Sequence, residues 1–145
     1  MKNPLFYLAI TALLFACTDD DSSTDCALII PSPNNFLLRI QDAQGDPLIG
    51  TVFTQDSFRL RGNNAVTYIK PTLNGNPADL FIFFTQIEDG IDYYLDLSET
   101  DTDTIRANYT VTTNECATSF DLEGLIYNGT LGEYEGDNLV IATKD

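Results

Sequence analysis

The feature that most constrains this chain is alternation. Asp92-Tyr93-Tyr94-Leu95-Asp96-Leu97 puts Tyr93, Leu95 and Leu97 on one face. Residues 105–111 do the same with Ile105, Ala107, Tyr109 and Val111. Successive side chains of a strand point to opposite faces, so a period of two marks a half-buried strand. No stretch sustains a period of 3.6. Branched and aromatic residues fill runs of about five to eight, separated by turn formers. The pattern predicts an all-β fold: a single antiparallel β-sandwich of about eight or nine strands.

Taken in order, Ala27-Leu28-Ile29-Ile30 reads as a first edge strand or an extended segment, stopped by Pro31 and Pro33. Phe36-Leu37-Leu38-Arg39-Ile40-Gln41 is a clearer strand, followed by turn formers at 42–47 and a returning strand at 48–53. Short strands at 58–61 and 66–70 flank Gly62-Asn63-Asn64, and Asn74-Gly75-Asn76-Pro77 makes a loop. Leu80-Phe81-Ile82-Phe83-Phe84 is apolar throughout, which predicts a central strand covered on both faces. Phe120 and Leu122 share a face, but the apolar phase then moves to Leu125 and Tyr127, predicting a bulge at Glu123-Gly124. Asn128-Gly129 and Gly136-Asp137-Asn138 are turns, and residues 139–142 form the last strand.

The N-terminus departs from this pattern. Residues 4–16 are apolar or small, and Lys2 is the only charge before Cys17. The run is shorter than the roughly 20 residues of a membrane span and ends in Asp19, Asp20 and Asp21, which suits a secretory signal peptide. Leu14-Phe15-Ala16-Cys17 resembles the lipobox of bacterial lipoproteins. That resemblance implies cleavage before Cys17 and acylation of its sulfur with palmitate-type chains. Each buried CH₂ contributes roughly 0.8 kcal/mol, so two or three chains anchor firmly. The alternatives are a plain secreted protein cut after Ala16, or a buried N-terminal helix. Residues 18–25 lack any apolar side chain and should form a solvated tether. An acidic run at Asp19, Asp20 and Asp21 resembles the export signal of surface-exposed lipoproteins of the Bacteroidota. The plainer reading is a spacer. The expected organisation is therefore a signal peptide over 1–16, a lipidated tether over 17–25 and one folded domain over 26–145, lipid-anchored at the outer membrane and facing the cell surface.

Composition narrows the partners. Losing residues 1–16 removes one of seven basic and none of 22 acidic residues, leaving 6 − 22 = −16. Such a surface repels nucleic acid. If Cys17 is acylated, Cys26 and Cys116 remain, and an oxidising compartment favours a disulfide between them. Two buried free thiols are the alternative. A second resemblance lies at Asp42, Gly45, Pro47, Leu48, Gly50, Thr51 and Val52, which is similar to the opening hairpin of carboxypeptidase-regulatory-like, transthyretin-type modules and implies a transthyretin-like sandwich, with an Ig-like one as the alternative.

Histidine is absent, which removes Ser-His-Asp and Cys-His nucleophiles and histidine-based metal centres. No glycine-rich phosphate loop is present. Asp96, Glu99, Asp101 and Asp103 form the densest polar stretch and could supply Ca²⁺ oxygens, against the simpler reading of a solvated turn. No other cofactor is expected. Tyr94, Tyr127 and Tyr134 are candidate exposed aromatics for a glycan, although most rings fall at inward positions and tryptophan is absent. The sequence thus points to a non-enzymatic surface lipoprotein, a binding or accessory module of an outer-membrane assembly. A glycan- or Ca²⁺-binding module is the alternative and requires an exposed aromatic strip or a convergent acidic loop. A small carboxylate-dependent hydrolase is more remote and requires two acids facing each other in a cleft.

Overall fold

The computed structural model describes Cys26 and residues 29–72, 78–136 and 138–145. The lipobox, the tether and the loop at 74–77 lie outside the described residues, as do Ala27, Leu28 and Asp137. The strands are β1 (Asn35–Gln41), β2 (Phe58–Gly62), β3 (Ala65–Pro71), β4 (Leu80–Phe83), β5 (Asp92–Asp96), β6 (Thr102–Thr113), β7 (Thr118–Tyr127), β8 (Thr130–Leu131), β9 (Glu133–Glu135) and β10 (Leu139–Thr143). The fold is all-β, as the alternation predicts. They form one sheet in the order β8-β7-β6-β5-β2-β3-β4-β1-β10-β9. Every pairing is antiparallel except β1 with β10, which is parallel.

The sheet wraps around one core and nearly closes on itself. β8 and β9 stand at opposite ends of the strand order, yet only Gly132 separates them in the chain. Gly132 N–H donates to Leu125 O at 2.8 Å. A Cβ at Gly132 would sit 2.6 Å from Val140 Cγ1 and 3.1 Å from Ile141 O. Only glycine lets the chain cross the seam between β7 and β10 this closely. Phe36, Leu38 and Ile40 of β1, Leu60 of β2, Ile82 of β4 and Leu95 of β5 fill the interior. Phe84 completes it in a one-turn 3₁₀ helix over Phe84–Gln86, stacked on Phe120 at 5.1 Å.

Turn chemistry follows the sequence closely. Asn63 and Asn64 both take positive φ, 44° and 59°, and so close the β2–β3 hairpin with a twist that matches its strands. The predicted bulge is present: Asn108 pairs with Gly124 and Tyr109 with Leu122, leaving Glu123 unpaired. Cys26 and Cys116 form a disulfide, which fastens the start of the folded region to the β6–β7 turn.

Three expectations are corrected. Residues 48–53 make no strand, only isolated bridges from Gln41 to Pro47 and from Ile49 to Phe53. Gly50 at φ +83° turns that segment back on itself, with Val52 and Phe53 N–H both donating to Leu48 O. The turn at 42–47 is formed, with Asp42 accepting from Gln44 and Asp46 N–H, but the returning strand is not. Of the first apolar run, Ile29 and Ile30 lie outside any strand, which leaves the extended-segment alternative. Val111 is exposed because β6 runs past the end of the core. Finally, β4 is central in the sheet, but among the described residues only one of its faces is covered.

Candidate functional site

The uncovered face of β4 is the most distinctive surface of the protein. Alternation sends Leu80 and Ile82 into the core and Phe81 and Phe83 outward. On β3 the same period buries Ile69 and turns Tyr68 and Lys70 outward. Lys70 pairs directly with Phe81 across the strands. Tyr68, Lys70, Pro71, Thr72, Phe81, Phe83 and Gln86 line a shallow cleft of about 370 Å³. That volume falls in the range of small-ligand sites, roughly 300–1,000 Å³. Tyr68 is 63% exposed and Phe83 40%. The Phe81 and Phe83 rings meet edge to face at 4.9 Å. Gln86 is held at the rim, where its Oε1 accepts from Phe83 N–H at 2.9 Å and its Nε2 donates to Thr67 Oγ1 at 3.4 Å.

A second cleft, about 320 Å³, lies on the other side of Tyr68 and is lined by Gln55, Ser57, Arg59, Asp96, Leu97, Ser98 and Glu99. Tyr68 therefore forms the ridge between two adjoining depressions. Arg59, directly opposite Tyr68, and Arg61 both bind Asp96, at 2.6 and 2.8 Å. The Arg61 guanidinium, with Thr102 and Arg59, holds the Asp96 carboxyl far below the usual carboxylate range despite its burial. Arg61 also lies 5.5 Å above the Tyr94 ring. Two guanidiniums thus share one carboxylate, and Glu99 stands at the edge of the same cleft.

The acidic stretch is not one site. Leu95 pairs with Asp103 and Asp96 with Thr102, so alternation sends Asp103 to the inner face and Asp96 to the outer. Asp101 and Asp103 converge on Lys144 Nζ, at 2.9 and 2.7 Å. Burial pushes Asp103 up, but hydrogen bonds from Lys144, Tyr127 and Asn128 outweigh it and the carboxyl lies below its ordinary value. The cation that these carboxylates hold is the protein's own ammonium. Glu99 faces the second cleft beside Arg59. Among the described residues no group of three or more acidic or thiol side chains is placed to share a metal ion.

Of the candidate aromatics, Tyr94 and Tyr134 are 49% and 44% exposed. Tyr127 is corrected: it is 1% exposed, because the bulge at Glu123 returns it to the inner face. Its hydroxyl donates to Asp103, and burial followed by that carboxylate raises its pKa. Sequence reasoning missed Tyr68, Phe81, Phe83 and Lys70. The usable signal was the alternation of Val66, Tyr68 and Lys70 on the neighbouring strand, together with the lack of any helix pattern to cover a second face. Comparison with protein-family models, with curated proteins and with solved structures found no match.

Proposed function

We propose that this chain is a non-enzymatic carbohydrate-binding module, displayed at the bacterial surface from a lipidated Cys17. The observation that carries the reading is the outward aromatic strip of Tyr68, Phe81 and Phe83 beside two adjoining clefts. Aromatic faces are electron-rich, and the C–H-bearing face of a sugar ring is their natural partner. Gln86, Thr72 and Ser98 supply hydroxyl-binding groups at the margins. Asp96 and Glu99 line the second cleft together, but Asp96 is taken up by Arg59 and Arg61, and Asp101 and Asp103 by Lys144. Titrating soluble oligosaccharides into the domain, with Phe83→Ala as control, tests the reading. Saturable binding lost in Phe83→Ala supports it; sugar binding indifferent to Tyr68, Phe81 and Phe83 removes it.

The anchor is part of the same proposal. Nine residues from Cys17 to Cys26 reach at most about 30 Å, enough to hold the module clear of a membrane surface. Cys17→Ser should release the protein from the membrane fraction. Replacing Asp19, Asp20 and Asp21 by Ala should shield it from protease applied to whole cells; unchanged accessibility argues against an export role.

A second reading, an accessory subunit of an outer-membrane assembly, is favoured by the β6–β7 hairpin. Its outer half, with Val111 exposed, projects beyond the core and carries the disulfide. Gentle detergent extraction followed by native mass spectrometry separates the two: a stoichiometric protein companion supports the subunit, a lone monomer the sugar binder.

A further inference from the structure

Lys70 stands apart from every other basic residue described. Arg39 is paired with Asp79 and Glu135, Arg59 and Arg61 with Asp96, Arg106 with Asp92, and Lys144 with Asp101 and Asp103. Among the described residues no carboxylate lies within ion-pairing distance of Lys70. In a chain with 22 acidic residues, a lysine left without a carboxylate is unusual. It is exposed, and it lines the aromatic cleft beside Phe81.

From this we infer that the ligand is anionic: a uronate-containing oligosaccharide whose ring stacks on the aromatic strip and whose carboxylate meets Lys70 Nζ. The inference rests on the carbohydrate-binding reading above. A free ammonium at the edge of an apolar cleft is a donor awaiting a charged acceptor, and charge-assisted hydrogen bonds are about twice as strong as neutral ones. The net charge of the whole chain does not oppose this locally. At physiological salt the screening length is about 8 Å. Acids farther away than that are muted, and the outer face of β2 and β3 presents Arg59, Arg61 and Lys70 around Asp96, with Glu99 beside Arg59.

The experiment compares oligogalacturonate, oligoglucuronate and oligomannuronate with their methyl esters, which keep the stacking faces and lose the charge. Calorimetric titrations use the folded, disulfide-intact protein and the variants Lys70→Met, Lys70→Arg and Phe83→Ala. The expected result is that at least one acid form binds about tenfold or more tighter than its ester. Lys70→Met should bring that acid form to the level of the ester, Lys70→Arg should keep the preference, and Phe83→Ala should weaken both forms. Equal binding of acid and ester, unaffected by Lys70→Met, overturns the anionic ligand while leaving the sugar-binding face intact. Salt-sensitive binding that ignores both Lys70 and Phe83 places the anion elsewhere and overturns the inference. No binding by any form overturns it together with the reading beneath it, and capture of an acidic peptide by the same residues would replace the carbohydrate.

Discussion

Lys144 Nζ lies 2.7 Å from each carboxylate oxygen of Asp103. The contact joins the last residues of the chain to the inner face of β6, where Tyr127 and Asn128 also donate to the same carboxylate. Both partners are largely buried, with side-chain exposures of 17% and 5%. Removing one partner of such a pair strands the other, which typically costs about 3–5 kcal/mol. Lys144→Met should therefore lower stability by about 3 kcal/mol, the low end because Lys144 keeps some solvent contact. Urea unfolding measures it. Asp103→Asn should be damaging alone, and the two changes together should cost clearly less than their sum.

Acid should unfold this protein through a few identifiable carboxylates. Hydrogen bonds from Arg61 lower the pKa of Asp96, Arg106 lowers that of Asp92, and Lys144, Tyr127 and Asn128 lower that of Asp103 against its burial. A carboxyl whose folded pKa lies below its unfolded value stabilises the fold above the unfolded pKa, near 3.8–3.9. That stability is lost as pH falls from there through the folded values. Tyr127 and Lys144 are raised instead, so their share is complete below about pH 10 and is lost above it. Unfolding midpoints should be flat from about pH 5 to 9 and fall steeply below pH 4. In Asp96→Asn the acid slope should be visibly shallower, because Asp96 no longer takes up a proton on unfolding.

The disulfide spans 90 residues of sequence. In the chain-entropy model a loop of that size is worth about 4–5 kcal/mol. Cys26→Ser with Cys116→Ser should lower the urea midpoint accordingly, and added reductant should do the same to the parent protein but not to the double variant. A midpoint insensitive to reductant would mean that the bridge contributes little.

Gly132 sets the seam of the sheet. Gly132→Ala places a methyl group against Val140 and the Ile141 carbonyl, where backbone must shift to admit it. Overpacking of this kind costs about 1–3 kcal/mol. Gly129, with open space around it, takes positive φ in a turn and should lose stability through backbone strain rather than contact. Hydrogen exchange at Leu125 and Val140 should quicken more in Gly132→Ala than in Gly129→Ala.

The strands were legible because alternation is a local signal. Tyr93 and Leu95 read inward from six residues, and they lie inward. The bulge at Glu123 was legible for the same reason: the phase changes there. Closure was not. Nothing local says that β8 and β9, one glycine apart, belong to opposite ends of a sheet, nor that β1 takes a parallel partner from the end of the chain. The strip on β4 was misread for a related reason. An unbroken apolar run signals burial on both faces only if something exists to cover the second, and the wrapped single sheet offers no such layer. The acidic stretch misled because sequence spacing hides the face: Asp96 closes β5 and Asp103 lies near the start of β6, across a turn and on the opposite side of the sheet.

The most direct test of the account is chemical-shift mapping. The amide spectrum of the domain is recorded while uronate oligosaccharides and their methyl esters are added in turn. The account predicts saturable shifts centred on Tyr68, Lys70, Phe81 and Phe83, larger and at lower concentration for the acid form. Shifts absent from β3 and β4, or centred instead on the β6–β7 hairpin, would contradict it.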